Sequence, residues 1–255
     1  MKNMSIKQFI VNKDVFDFIE TLQDKSVTLF VTDPPYMNIV QDHWDNQWSS
    51  TEEYVDWMHK VLTAMKPKLK DNASVIFFGG VGKHGERPFF DLMKKVETTN
   101  LYTYRNLITW QKRRAYGKSH DYLFCREEFA WYSVSPERTN VVFNIPLTDV
   151  KRGYDGWNSK YKAKSEFKRV SNVWTDIPEL MRPERNTQKP IPLMARIIAT
   201  HSNPGDLVVD TFCGWGTTGV AALSLGRDFL GCERIPEDAT MGNNRCKQQV
   251  ENTNK

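Results

Sequence analysis

The chain has 255 residues, 40% of them hydrophobic and 26% charged, which excludes wholesale disorder and fits one large domain or one domain with an insertion. Lysine plus arginine number 35 against 31 aspartate plus glutamate, so the net charge of +4 alone does not announce a nucleic-acid binder. The four cysteines form no CxxC pair, which speaks against structural zinc and disulfides, and no apolar run reaches the ~18 residues of a membrane span. The amino terminus lacks the apolar run of a signal peptide. The expectation is a soluble, cytoplasmic protein with no metal and no membrane partner.

In chain order, Gln8 to Val11 is a short apolar strand. Val15, Phe16, Ile19 and Leu22 then recur at helical spacing. Val27 to Val31 is a continuous β-branched run, the pattern of a strand covered on both faces. It stops at Asp33-Pro34-Pro35-Tyr36, because two prolines cannot continue a central strand. A polar loop follows. Ser50 caps the next helix with Glu53 at the capping-box position, and Tyr54, Val55, Met58, Val61, Leu62 and Met65 line one face up to Pro67. Ser74 to Phe78 is a further buried strand, and Asn106 to Trp110 and Phe129 to Ser133 make two more around a basic loop.

Periodicity fades between Ser135 and Pro190. It returns with a helix at Pro192–His201, a strand at Leu207–Val209, a glycine-rich turn, a helix at Thr217–Leu225, a strand at Phe229–Cys232 and a polar final helix. Alternating helices and buried strands predict an α/β fold with an open, mainly parallel, Rossmann-like sheet and helices on both faces. Residues 1–134 and 191–255 would form its core, and residues 135–190 an insertion.

The turn Asp210-Thr211-Phe212-Cys213-Gly214-Trp215-Gly216-Thr217-Thr218-Gly219 lies between a strand and a helix. Gly214 and Gly216 permit positive φ and close approach of a ligand to the backbone. Glu233 follows nineteen residues after Gly214, at the end of the next strand, where a carboxylate can accept hydrogen bonds from ribose hydroxyls. The letters also satisfy GxGxxG, so the turn by itself admits a nicotinamide dinucleotide as well as an adenosyl cofactor.

Asp33-Pro34-Pro35-Tyr36 stands where open α/β sheets bind ligands, beyond the carboxyl end of a strand. An exocyclic amine on a base is a poor nucleophile because its lone pair is delocalised into the ring. The Asp33 carboxylate and the Pro34 carbonyl can hold both amino hydrogens and favour attack, with the prolines preorganising these acceptors. Tyr36 offers a ring for an unpaired base.

With these motifs the chain resembles the beta group of amino-methyltransferases, which act on adenine N6 or cytosine N4 of DNA with S-adenosylmethionine. The tetrad and Phe212-x-Gly214-x-Gly216 match that family's motifs, in the beta-group order. The resemblance implies a site-specific DNA methyltransferase acting on the N6 amine of a flipped adenine, and its leading aspartate favours adenine over cytosine. The catalytic residues it implies are Asp33, Pro34, Pro35 and Tyr36. Those for the cofactor are Asp14, Asp33, Lys189, Ser202, Asp210 to Gly214, Gly216, Thr217, Thr218 and Glu233, with Asp14 at the adenine and Lys189 and Ser202 near the methionine end. The chain departs from the family in having Thr211 and Trp215 within the turn, and Glu127-Glu128 where a His-Glu pair is usual. Cytosine N4 methylation and a nicotinamide-dependent oxidoreductase are the alternatives.

The charge is unevenly placed. Between Lys151 and Arg169 seven basic residues face two acidic ones, with Tyr154, Trp157, Tyr161 and Phe167 interleaved. Basic groups neutralise phosphates and aromatic rings lean on bases. This segment reads as the target-recognition region, with Lys151, Arg152, Trp157, Lys160, Lys162, Lys164, Lys168 and Arg169 toward double-stranded DNA. Lys112, Arg113, Arg114 and Lys118 add a basic loop. A homodimer and a restriction endonuclease on a separate chain are compatible further partners.

Overall fold

A computed structural model describes residues 9–37, 47–80, 86–117, 119–120, 122–151, 165–181, 183 and 188–253. Lys118, Arg152, Trp157, Lys160, Lys162 and Lys164 lie outside the described residues, as do Tyr154 and Tyr161.

The first half contains β1 (Ile10–Asn12), α1 (Val15–Thr21), β2 (Val27–Thr32), α2 (Thr51–Met65), β3 (Leu69–Gly79), α3 (Pro88–Thr98), β4 (Thr103–Tyr116) and β5 (Phe124–Ser133). There follow β6 (Leu147–Lys151), β7 (Phe167–Arg169), β8 (Val173–Trp174), α4 (Ile191–His201), β9 (Leu207–Asp210), α5 (Thr217–Ser224), β10 (Asp228–Glu233) and α6 (Pro236–Thr253). Eight strands form one sheet in the order β1-β10-β9-β2-β3-β5-β4-β8. β1, β10, β9, β2 and β3 run parallel, β5 is antiparallel to β3 and β4, and β8 joins β4 in parallel. The protein is thus α/β, with a mixed, mostly parallel open sheet.

Alternation along the buried strands divides the core in two. Phe30, Val75 and Phe77 face a layer with α1, α2 and α3, whereas Leu29, Val31, Ile76 and Phe78 face α4, α5 and α6. A period of two on a strand covered on both faces produces this split. Ser50 Oγ caps α2 by accepting the Glu53 N–H at 3.2 Å. The Glu53 carboxylate reaches one residue beyond the expected box, to Ser49 N and Oγ.

Three features differ from the sequence expectation. Helix α3 was not foreseen, although Phe89, Leu92, Met93 and Val96 bury a helical stripe. Lys112, Arg113 and Arg114 belong to strand β4 and not to a loop. Pairing with β5 continues past a register shift to Tyr116 opposite Phe124, and Glu179 accepts the backbone N–H of both Arg113 and Arg114. Within 135–190, β6 and β7 form a separate two-stranded ribbon, but Val173 and Trp174 pair with the edge of β4 in the main sheet. Arg196 of α4 holds that end through Asp176 and stacks 4.9 Å over Trp174.

Candidate active site

The parallel arrangement brings the end of β2 beside the ends of β9 and β10, and a cavity of about 500 Å³ opens over them. Residues from both motifs line it, although they are separated by nearly 180 positions: Thr32 Oγ1 and Thr211 Oγ1 lie 2.9 Å apart beneath it.

On the β2 side the whole tetrad lines the cavity. The Tyr36 hydroxyl donates to Asp33 Oδ1 at 2.5 Å, and the Lys189 ammonium donates to Asp33 Oδ2 at 2.6 Å and to Tyr36 Oη at 3.2 Å. Tyr54 of α2 donates its hydroxyl to the Pro35 carbonyl at 2.8 Å, tying the second proline down. Gly80, just after β3, leaves room for the Tyr36 ring: a Cβ there would sit 2.8 Å from Tyr36 Cδ2. Burial and the adjacent Asp33 carboxylate hold the Tyr36 phenol well above its ordinary pKa, so it remains a proton donor.

Lys189 is buried among charges and rings. Burial alone would push its ammonium down, but Asp33 and Glu127 outweigh that and raise its pKa. The same partnership works in reverse on Glu127. Burial would raise its carboxyl, and Lys189 together with Lys112 brings it below the usual range. Lys189 Nζ also lies 5.3 Å from the Tyr36 ring centroid and 5.1 Å from that of Phe78. The lysine therefore lines the cavity with its charge turned to the tetrad.

On the β9–β10 side, Gly214 and Gly216 have φ of 47° and 71°, the left-handed conformations the turn requires. Both oxygens of Glu233 are anchored, accepting Gly214 N–H and Ile235 N–H at 2.9 Å each. Asp210 accepts from Thr218 Oγ1 at 2.6 Å and from Phe212 N–H at 3.0 Å. Burial pushes its carboxyl up to about 7; those two hydrogen bonds oppose the rise, and Asp33 and Glu233 reinforce it. Trp215 turns its indole toward α6, donating to Asp238 Oδ1 at 2.6 Å, so its bulk is accommodated beside the turn.

The other sequence-predicted residues fall as follows. Asp14, Thr211, Phe212, Cys213 and Thr217 line the cavity, and Asp14 also caps α1 by accepting Phe16 N–H at 2.9 Å. Gly216 stands at the N-cap of α5. Ser202 lies outside the cavity, buried at the end of α4, where Arg227 donates to its Oγ at 3.1 Å and to its carbonyl at 2.8 Å. Lys112 reaches the cavity rim, whereas Arg113 and Arg114 do not line it. Lys151, Lys168 and Arg169 are exposed on the β6–β7 ribbon. Trp57 escaped the sequence reading. It lines the cavity 5.8 Å from the Phe212 ring, and its place off the apolar stripe of α2 was the available signal. Gln188 Oε1 is buried at the cavity without a hydrogen-bond partner among the described residues. No group of three or more His, Cys, Asp or Glu is placed to hold a metal among the described residues, and no described helix is long and apolar enough to cross a membrane.

An open α/β sheet with a proline-locked acceptor set beside a glycine turn defines a group-transfer enzyme of the methyltransferase type. Residues 27–244 match the N6_N4_Mtase family, described as DNA methylase, and the chain belongs to that family of DNA methyltransferases. It is similar to the type II methyltransferase M1.MboII of Moraxella bovis, 29% identical over 254 residues that cover 89% of this chain and 92% of the relative. It is 29% identical to the DNA adenine methyltransferase YhdJ of Escherichia coli K12, over 91% of this chain and 80% of that protein. In fold it resembles M1.HpyAVI, solved as a SAM complex (TM-score 0.64, 23% identity, 92% and 97% covered). It also resembles the cytosine-N4-specific PvuII methyltransferase (TM-score 0.72, 17% identity, 96% and 90% covered).

Proposed function

We propose that this DNA methyltransferase transfers a methyl group from S-adenosylmethionine to the N6 amine of adenine, at a specific site in double-stranded DNA. The observation that carries the reading is the aspartate at the head of the tetrad, fixed at the cavity by Tyr36 and Lys189. The 29% identity to an enzyme named as a DNA adenine methyltransferase supports the choice of base.

The residues present fit the cofactor. The anchored Glu233 carboxylate has lone pairs left for ribose hydroxyls. Phe212 and Trp57 give an aromatic wall for the adenine, and Asp14 a carboxylate on the same cavity. The orphan Gln188 Oε1 is an acceptor for an ammonium at the methionine end. S-adenosylmethionine supplies an electrophilic methyl carbon when bound. Asp33 and the Pro34 carbonyl then hold the two amino hydrogens, and Tyr36 stacks on the base. The base must be flipped, since a stacked amine cannot reach the cavity.

In this reading residues 1–134 and 191–255 serve as the catalytic core, joined by β8 at the sheet edge and by Gln188 and Lys189 at the cavity, and the rest of residues 135–190 serves as the target-recognition region. Exposed Lys151, Lys168 and Arg169, together with Lys112, Arg113 and Arg114, contact DNA phosphates. A DNA substrate is consistent with a cytoplasmic location.

Mass spectrometry of nucleosides from DNA treated with the protein tests the base: N6-methyladenine is expected, and N4-methylcytosine would reverse the assignment. Asp33→Ala should slow methyl transfer by about a hundredfold or more while S-adenosylmethionine binding persists. Near-normal turnover in that variant would remove Asp33 from the mechanism.

A further inference from the structure

Charge alternates along a line leading outward from the tetrad through Asp33, Lys189, Glu127 and Lys112. Lys189 Nζ lies 2.6 Å from Asp33 Oδ2 and 3.2 Å from Glu127 Oε2, and Glu127 also pairs with Lys112. The Lys189 and Glu127 side chains are only 7% and 16% exposed, so solvent screens them weakly. Lys112, at 28%, is better screened and pairs with the other Glu127 oxygen.

The reaction gives this arrangement a consequence. The amine lone pair forms the new N–C bond, the electron pair of the broken C–S bond stays on sulfur, and one N–H proton leaves to water. Positive charge therefore develops on nitrogen before that proton is lost. Asp33 favours this charge, but Lys189, in contact with the same carboxylate, opposes it. Asp33, Lys189, Glu127 and Lys112 together are neutral, whereas the same group without the Glu127 carboxylate would carry one net positive charge.

We propose that Glu127 is a positioning residue for methyl transfer. It holds Lys189 against the tetrad and offsets the lysine charge, leaving Asp33 able to stabilise the cationic nitrogen. The inference rests on an exocyclic amine as acceptor, whichever base carries it, and goes beyond that reading by giving Glu127 a role in the reaction.

The test compares E127Q, E127D, K189M and the E127Q/K189M double variant in single-turnover methyl transfer. Unmethylated genomic DNA and S-adenosylmethionine are both saturating, and calorimetric titration with S-adenosylmethionine and thermal midpoints accompany the rates. E127Q is expected to slow transfer about tenfold or more with cofactor affinity changed less than about twofold. E127D should recover most of the rate. The double variant should be no slower than K189M, because without Lys189 there is no charge to offset. A wild-type rate in E127Q, an E127D as slow as E127Q, or losses that multiply in the double variant would overturn the role. If E127Q loses its fold, the comparison of K189M with the double variant carries the test, and any further loss of rate there overturns it. Failure of the wild-type chain to methylate an exocyclic amine would instead remove the functional reading.

Discussion

Asp210 is the residue at which pH should act most directly. Its folded pKa, raised to about 7 by burial and by the neighbouring Asp33 and Glu233 carboxylates, stands above the unfolded value. The folded state therefore binds more protons between the two values. The group disfavours folding progressively as pH rises from about 4 to about 7 and by a constant amount above that. A cationic ligand in the cavity reverses the preference, because it favours the carboxylate. S-adenosylmethionine affinity should consequently rise as pH passes from 6 to 8, by about threefold or more, with a flatter profile in Asp210→Asn. Calorimetric titration across that range decides it, and parallel profiles for the two proteins would exclude Asp210. His201 acts on stability in the opposite sense. Burial drives its pKa down to about 3 between Trp131 and Phe143, with Nδ1 lacking a hydrogen-bond partner among the described residues. Stability due to the neutral ring is lost as pH falls from about 6.5 toward 3. His201→Phe should flatten the decline in thermal midpoint between pH 7 and 5, since it removes the group that takes up the proton.

At the scale of elements, the glycine turn is held by the final helix. Gly242 of α6 packs against it so closely that a Cβ would sit 3.1 Å from Gly214 O, 3.2 Å from Gly216 N and 2.6 Å from Ile10 Cδ1. Asn243 beside it bonds the backbone of Phe9 and Ile10, joining α6 to β1. Gly242→Ala must therefore displace the Ile10 side chain and shift α6 and the turn apart slightly. Overpacking of this kind costs about 1–3 kcal/mol, and the displaced turn should bind S-adenosylmethionine several-fold more weakly. Chemical denaturation and calorimetry measure the two effects, and unchanged affinity would uncouple α6 from the site. Much at this scale was legible beforehand. Val27 to Val31 and Ser74 to Phe78 announced buried strands, and Ser50 its helix cap, because those signals are local. Helix α3 was missed even though its stripe was present. The β4–β5 pairing was read too short, since strand length past Trp110 depends on a partner distant in sequence and on Glu179.

For the whole molecule, charge is exported to segments outside the parallel core. Exposed Lys151, Lys168 and Arg169 lie on the β6–β7 ribbon. DNA affinity should fall linearly on a log–log plot against salt, and replacing both Lys168 and Arg169 by Ala should reduce the slope by about 1–2. Equal slopes for the two proteins would exclude those residues from phosphate contact. The sheet order explains why a tetrad near the start and a turn near the end form one site. β9 lies between β2 and β10, so their carboxyl ends converge.

The residues pointed to methyl transfer through their resemblance to a family and left a nicotinamide-dependent oxidoreductase as the alternative. The tetrad, the glycine turn and Glu233 are short motifs whose chemistry resides in local backbone and side-chain type, and the modest net charge resolved by position into a basic segment. The tertiary structure decided which groups meet. Ser202 became a partner of Arg227 away from the cavity, Trp57 came to face Phe212, and Lys189 joined Asp33 to Glu127. Those contacts cross strands and helices far apart in the chain, and no local pattern encodes a distance between them.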